Sequence, residues 1–368
     1  MTGRFGSGEK VTARSERPQG QHRRRAGPPQ ARHGPLGGQG ATRSGRPWGR
    51  HTQNGAAILM AMLVVTLVAT LASAALWQQW RSVEVESAQR ARVQSSWILV
   101  GALDWARLIL REDARSGGAD HLAEPWAVPL EEARLSTFFA STTSATESAD
   151  DVQQSFISGL ITDLQSRLNV INLVEGAQIS APSLRAFDKL FTLLNLDNAE
   201  LGVLAENLRA AQNFAPDNSK SKEALVVPQR VEQLAWMGLS PRTLAALAPY
   251  ITVLPVRTPV NLNTASAEVL FASIDALDMA GARQLVTGRA LAHFQKTGDV
   301  AKLLGDRPGQ IVDGQHSVSS RFFEVRGRLR LDQTTVQERS VVQRDGLDVK
   351  ALWRDRGVAE ANPKPSLQ

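Results

Sequence analysis

The sequence predicts an α+β chain: a long N-terminal helix, apolar in its first half, packed on an antiparallel sheet, with a large α-helical domain inserted between the strands. Three observations predict it. Ala56 to Trp77 reads AAILMAMLVVTLVATLASAALW, 22 residues without a charge, and the chain continues to Asp113 with no proline and only Gly101 as a glycine. Helical patterns then fill residues 182–212, 230–248 and 260–274, while strand-like patterns lie on both sides of them, at 155–174 and after Gln315.

Residues 1–55 come first. Up to residue 54 they hold eleven Lys or Arg against Glu9 and Glu16, so the rest of this +6 chain carries −3. A Gly-, Pro- and Arg-rich stretch such as RRRAGPPQARHGPLGGQG buries too little apolar surface to offset its ordering entropy and reads as a disordered leader. The high pI belongs to that leader. Net charge on the body gives no support to a basic nucleic-acid surface.

Residues 56–80 read as a membrane span. At 1.5 Å per residue, 22 residues cover about 33 Å, enough for a hydrocarbon core of about 30 Å. The arginine-rich side precedes it, which sets the N-terminus in the cytoplasm and everything after Arg81 outside, with Trp77 and Trp80 at the outer interface. Residues 81–150 continue the same helix and then connect onward. Ile98, Ala102, Trp105 and Ile109 form one apolar stripe, with Leu99, Leu103, Ala106 and Leu110 beside it, and RSGGAD ends the helix. EPWAVPLEE (124–132) reads as a turn-rich connection.

SFISGLITDLQSRLNVINLV places strands within 151–178. The helical insertion occupies 179–312, punctuated by Pro182, Pro216 and Pro228, with Thr264 or Ser266 as the N-cap of the helix that follows VNLNT. HSVSSRFFEVRGRLRL, TTVQERSVVQRDG and LDVKALWR are three strands joined by short turns, giving a strand region over 313–355, and 356–368 read as a disordered tail.

Several chemistries have no basis here. There is no cysteine, so disulfides, thiolate metal sites and cysteine nucleophiles are excluded. His22, His33, His51, His121, His293 and His316 show no ligand spacing on a helix, and no nucleophile–base pair or phosphate loop is recognisable. No catalytic, cofactor-binding or metal residues are assigned.

TQNGAAIL raises the question of a cut. A basic leader, a glycine and an apolar run starting directly after it is how a prepilin signal is written; cleavage would follow Gly55 and leave Ala56 as the new, N-methylated terminus. Conventional signal cleavage near Ala72, Ser73 and Ala74 is the alternative. The apolar run is longer than the 7–15 residues of an ordinary signal core, and the amphipathic helix follows it unbroken.

NGAAILMAMLVVTLVATLASA, EPWAVPL, ITDLQSRLNVINLV, LAENLRA, LPVRTPVNLNTASAEVL and VSSRFFEVRGRL, in that order and spacing, resemble the general secretion pathway protein K family, minor pseudopilins of the type II secretion system. The resemblance covers about Gly55 to Arg354. It implies a pilin-like fold with an inserted helical domain of helix-hairpin-helix or SAM-like type, a place at the tip of a periplasmic pseudopilus and no enzymatic activity. It also implies prepilin peptidase, membrane lipid, the inner-membrane secretion platform and other minor pseudopilins (the I, J and H types) as partners. Most relatives carry glutamate at the fifth mature position; here it is Met60, and a charge in the bilayer is costly unless paired. A tip subunit has no further subunit above it to neutralise. Relatives also carry an acid-rich stretch tied to calcium after the LAENLR-like segment, but AAQNFAPDNSKSKEAL (210–225) offers only Asp217 and Glu223, too few carboxylates for a cation that takes six to eight oxygens. Calcium is therefore not expected.

LPVRTPVNLNTASAEVL also resembles the helix-hairpin-helix module of membrane-anchored competence DNA receptors. That reading needs a glycine-rich hairpin whose N–H groups face phosphate. SIDALDMAGARQ (273–284) has Asp275 and Asp278 there and no Gly-x-Gly, so nucleic acid is not expected as a partner.

Overall fold

The computed structural model describes residues 54–135, 155–212, 226–305, 311–331 and 334–358. The expected leader up to residue 53, most of the 210–225 stretch weighed for calcium and the tail from residue 359 lie outside them.

The first helix, α1, runs from Asn54 to Ser116, 63 residues without interruption. Its start, through Ala72, belongs to one compact unit and the remainder to another. In the first unit the apolar side chains face outward: Leu59, Met60 and Val65 are each about two-thirds exposed. Two hydroxyls occur there, and both are satisfied within the helix: Thr66 donates to the Leu63 carbonyl (2.9 Å) and Thr70 to that of Leu67 (2.8 Å). Such back-bonding removes the cost of a bare hydroxyl in an apolar solvent.

In the second unit α1 buries Leu99, Leu103, Ala106 and Leu110, spaced for one helical face. They pack on a five-stranded sheet, all antiparallel, of β1 (Leu130–Arg134), β2 (Ser155–Asp163), β3 (Phe322–Leu331), β4 (Thr334–Asp345) and β5 (Asp348–Val358), hydrogen-bonded in that order. Trp126, Ile161, Phe323, Val325, Val342 and Val349 complete that core. The expected stripe is thus corrected: Trp105 is 37% exposed, and Ile98, Ala102 and Ile109 are only half-buried. The reason lies across the interface. A Cβ on Gly327 would come within 3.2 Å of Leu99, so the Leu99 side of the helix fills the space that this glycine leaves.

The inserted domain has its own core of Leu, Phe, Ile and Val side chains, including Leu168, Val170, Leu173, Phe187, Leu204, Leu234, Leu262, Leu270 and Leu285. Its helices are α2 (Ala181–Leu193), α3 (Asn198–Gln212), α4 (Pro241–Leu247), α5 (Ala267–Ser273), α6 (Met279–Leu291) and α7 (Thr297–Leu304). Asn195, at φ 53°, splits the expected 182–212 helix into α2 and α3. The expected 230–248 helix is a 3-10 stretch, Val231–Met237, that ends at left-handed Gly238 before α4. Ser266, not Thr264, caps α5.

Three boundaries move. The strand pattern read at 155–174 is continuous only to Asp163; beyond it only the two-residue strands Leu168–Asn169 and Val174–Glu175 remain, Asp163 and Asn169 each cap a tight 3-10 turn, accepting from Gln165 and Ile171 N–H, and Leu168 to Val174 join the helical core. Side-chain capping here overrides the β-branched composition. Residues from Leu168 on therefore pack in the helical core, while Leu164 packs with Phe322 and Val341 of the sheet. The connection at 124–132 contains a strand, since Leu130–Arg134 pairs with β2. The last strand runs to Val358, past the expected end at 355, held where Arg356 donates to Glu338 (2.5 Å) and to the Ser96 hydroxyl (2.7 Å).

Leu110→Ala should lower stability by about 2–5 kcal/mol through loss of burial and the cavity left behind. Trp97→Ala, 71% exposed on the same helix, should change it by less than about 0.5 kcal/mol. Urea unfolding followed by far-UV circular dichroism separates the two.

Candidate functional site

Two places concentrate features that packing alone does not require. The first is the start of α1. Gly55 and Ala56 lie in its first turn and are exposed, and a side chain at Gly55 would meet nothing within 4 Å. Met60 follows one turn on, 67% exposed, with no charged residue before Arg81. Ala61, Ala69 and Ala72 add small residues to the same surface.

The second is the junction where the chain leaves the sheet for the helical domain and returns. Asp163, the last residue of β2, is 2% exposed. One carboxylate oxygen accepts from the Thr264 and Ser320 hydroxyls (both 2.6 Å) and from Asn261 Nδ2 (3.1 Å); the other accepts from Gln165 N–H (2.7 Å). Asn261, fully buried, also donates to the Ser320 hydroxyl and to the Asp120 carbonyl, and its own oxygen accepts from Asn263 N–H. Asn263 exchanges two hydrogen bonds with the Phe294 backbone (2.9 and 2.8 Å). Residues 260–264 thereby tie together β2, the loop after α1, the start of β3 and the loop after α6. Burial pushes Asp163 up to about 6, against the pull of its hydroxyl and amide donors.

Arg344 of β4 extends the junction. It reaches both oxygens of Asp120 (2.6 and 2.7 Å), Asp113 at the end of α1 (2.5 Å) and the Ser320 carbonyl (2.8 Å). Burial raises the pKa of Asp113 and Asp120, with nearby Glu124 adding to the effect on Asp113 and Arg344 opposing both. Asp113, Asp120 and Glu124 bring carboxylate oxygens within 4.8 Å of one another; Arg344 pairs with the first two, and Glu124 accepts from His121 N–H and Trp126 Nε1. His316, buried, is bonded through both ring nitrogens, to Val312 N–H and the Ser273 carbonyl, and burial lowers its pKa. Nothing at the junction is arranged as a nucleophile and base. It is a structural weld.

The hairpin weighed for phosphate, between α5 and α6, is internally closed. Asp278 caps α6 by accepting from Gly281 N–H (2.7 Å), Lys189 donates to the Ile274 and Leu277 carbonyls, and Asp275 pairs with Arg185 (3.5 Å).

The chain has counterparts among known proteins. Two family models, both described as type II secretion system (T2SS), protein K, match residues 166–256 and 260–319. Over both segments the chain is similar to the type II secretion system protein K family. Type II secretion system proteins K from Pseudomonas aeruginosa (28% identical over 332 residues; 84% of this chain, 94% of the relative) and Klebsiella pneumoniae (28% over 355 residues; 84% and 98%) extend the likeness along nearly the whole length of the relatives. In fold the chain is similar to a chain in the crystal structure of the GspK-GspI-GspJ complex from the enterotoxigenic Escherichia coli Type 2 Secretion System, with a TM-score of 0.52 and 17% identity over 74% of this chain and 99% of that one. The pilin-like fold expected for the family is therefore the fold observed. The family match beginning at residue 260 starts on the VNLNT stretch that makes the weld.

Sequence reasoning brought forward Gly55, Ala56 and Met60 but missed Asp163, Asn261, Asn263, Asp120 and Arg344. The paired asparagines in VNLNT were the available signal, because amides flanking a buried leucine must find partners.

A folded-state pKa above the ordinary value means that Asp163 stabilises most at low pH and loses that contribution as pH rises through about 6. The stability of the native chain relative to Asp163→Asn should grow by about 1 kcal/mol between pH 7 and pH 5. Paired denaturation curves at the two pH values read this difference, and a parallel pH response in the variant would assign it to other groups.

Proposed function

We propose that this chain is a minor pseudopilin that caps the periplasmic pseudopilus of a type II secretion system and supports protein export across the outer membrane. The observation that carries this is α1: one unbroken helix contains both the apolar run and the face on which the sheet is built. A conventional cut after Ala74 would divide that helix. A cut after Gly55 keeps it whole, and leaves Ala56 as the N-methylated first residue.

The orientation follows from the charge on either side of the apolar run: leader in the cytoplasm, one pass through the inner membrane, body in the periplasm. The partners on this reading are prepilin peptidase at Gly55, lipid around residues 56–80, the inner-membrane platform, and other minor pseudopilins of the I, J and H types. The likeness to a chain of a GspK-GspI-GspJ complex supports the I and J assignments. Small residues at Ala61, Ala69 and Ala72 permit close helix approach in lipid. Met60 in place of the usual glutamate suits a subunit with no neighbour above it. The role is mechanical, with no catalysis, cofactor, calcium or nucleic acid; the α5–α6 hairpin, closed by its own Asp278, supports the last point.

Co-expression with a prepilin peptidase and intact-mass measurement of the membrane-extracted protein should give a chain beginning at methylated Ala56. Deleting residues 56–80 should abolish co-purification with I- and J-type pseudopilins. An unprocessed chain, or one cut after Ala74, overturns the proposal.

A further inference from the structure

The sheet has a second face, turned away from α1, and its charge is opposite to that of the body. On β3, Arg326, Arg328 and Arg330 alternate, so their side chains share this face at a spacing of about 7 Å. The register sets Arg339 of β4 opposite Arg326, and Arg134 of β1 in the same row as Phe156 and Arg330. Five arginines thus stand on one surface. The carboxylates near them are Glu132, paired with Arg330, Glu232, paired with Arg339, Asp355, opposite Arg339 and paired with Arg230, and Glu324, which is fully buried and shared by Arg326 and Arg339. Burial alone would raise Glu324, but Arg326 and Arg339, with Arg167 behind, hold its pKa below the usual carboxylate range. Arg134 and Arg328 are exposed and make no ion pair with another described residue. Arg330 also lies over the ring of Phe156, 4.2 Å from its centre, which fixes the guanidinium in place.

We propose that this arginine face is a docking surface for an acidic protein segment whose carboxylates repeat about every 7 Å, as on alternate residues of an extended strand. Charge complementarity selects the occupant. Residues 55–368 carry −3 overall, so a long polyanion or a charged membrane meets net repulsion beyond a Debye length of about 8–10 Å. A short acidic segment meets only the local positive field. Arginine also favours carboxylates by its planar fork of donors. The inference rests on the reading that the chain works among other subunits, and adds which surface receives one.

The test uses the full-length chain in detergent, with a labelled octapeptide of alternating Glu and Thr as the probe. Saturable binding that weakens about tenfold between about 50 and 300 mM salt is expected. Arg328→Glu with Arg134→Glu should weaken it at least tenfold without changing the thermal midpoint, and the matching Gln–Thr peptide should not bind. Equal binding of the Gln–Thr peptide overturns the proposal, as does binding of oligo-dT or anionic vesicles, but not of the acidic peptide, that is lost in the same variant. The chain's own run between β1 and β2 contains Glu147, Asp150 and Asp151 and no Lys or Arg. If the peptide binds only after these three are changed to Gln, Asn and Asn, the face belongs to that run and the partner proposal falls. Processing at Gly55 is read independently, so failure of the peptide test leaves the functional proposal standing, and failure of processing leaves the docking face standing.

Discussion

The fold depends on one buried carboxylate. Asp163 stands where the sheet hands the chain to the helical domain, and its two oxygens are met by side chains or backbone from residue 165, from the 261–264 turn and from Ser320, where the chain returns. An unpartnered carboxylate at 2% exposure would cost several kcal/mol. Four donors offset part of that cost, and they come from segments far apart in sequence, so partnering the carboxylate and joining the domains are one event. Any large rotation of the helical domain against the sheet would strip donors from Asp163. The weld explains how a domain inserted through two chain crossings can be held in a fixed pose.

Arg344 applies the same logic to the end of α1. A guanidinium at 9% exposure bridges Asp113, the last carboxylate of the helix turned inward, and Asp120, in the loop that follows. Removing either acid leaves a buried cation short of charge, which is far more costly than the pair is stabilising. The helix end, the loop after it and the return strand are thereby pinned to the same point as Asp163, because Ser320 contacts both Asp163 and Arg344. The sheet-facing half of α1 is consequently held at its top by charge and along its length by Leu99, Leu103, Ala106 and Leu110. A force along the helix is then shared by both domains and is not taken by the loop alone.

Much of this was legible in the sequence. The apolar run, its continuation as an amphipathic helix, the three C-terminal strands and the helical block between strands all follow from periodicity, because burial on one face writes a repeat into the sequence. What periodicity could not give was the choice between two adjacent stripes on α1. Residues 98, 102, 105 and 109 and residues 99, 103, 106 and 110 are equally apolar, and Gly327, across the interface, makes room for Leu99. Nor could composition separate strand from capped turn in LQSRLNVINLV, where Asp163 and Asn169 spend their side chains on local N–H groups. The weld was illegible for a related reason: its members are single polar residues from distant segments, and only the closed fold shows that they converge.

Net charge misled in a way that has a physical cause. A body at −3 gave no hint of a face with five arginines, since charge summed over a chain says nothing about how a two-residue period sorts it between the sides of a sheet. On β3 the same alternation that sends Phe323, Val325 and Leu329 toward α1 sends Arg326, Arg328 and Arg330 the other way. Glu324 is the exception that makes the surface possible. Buried among Arg326, Arg339 and Arg167, it neutralises the part of the face nearest the helical domain, where Phe322, Val341 and Trp353 pack beneath Leu164 and Leu254. Without it, three guanidinium groups would stand close together and repel one another. With it, the charge not paired among the described residues is displaced down the strands to Arg328 and Arg134, both exposed among those residues.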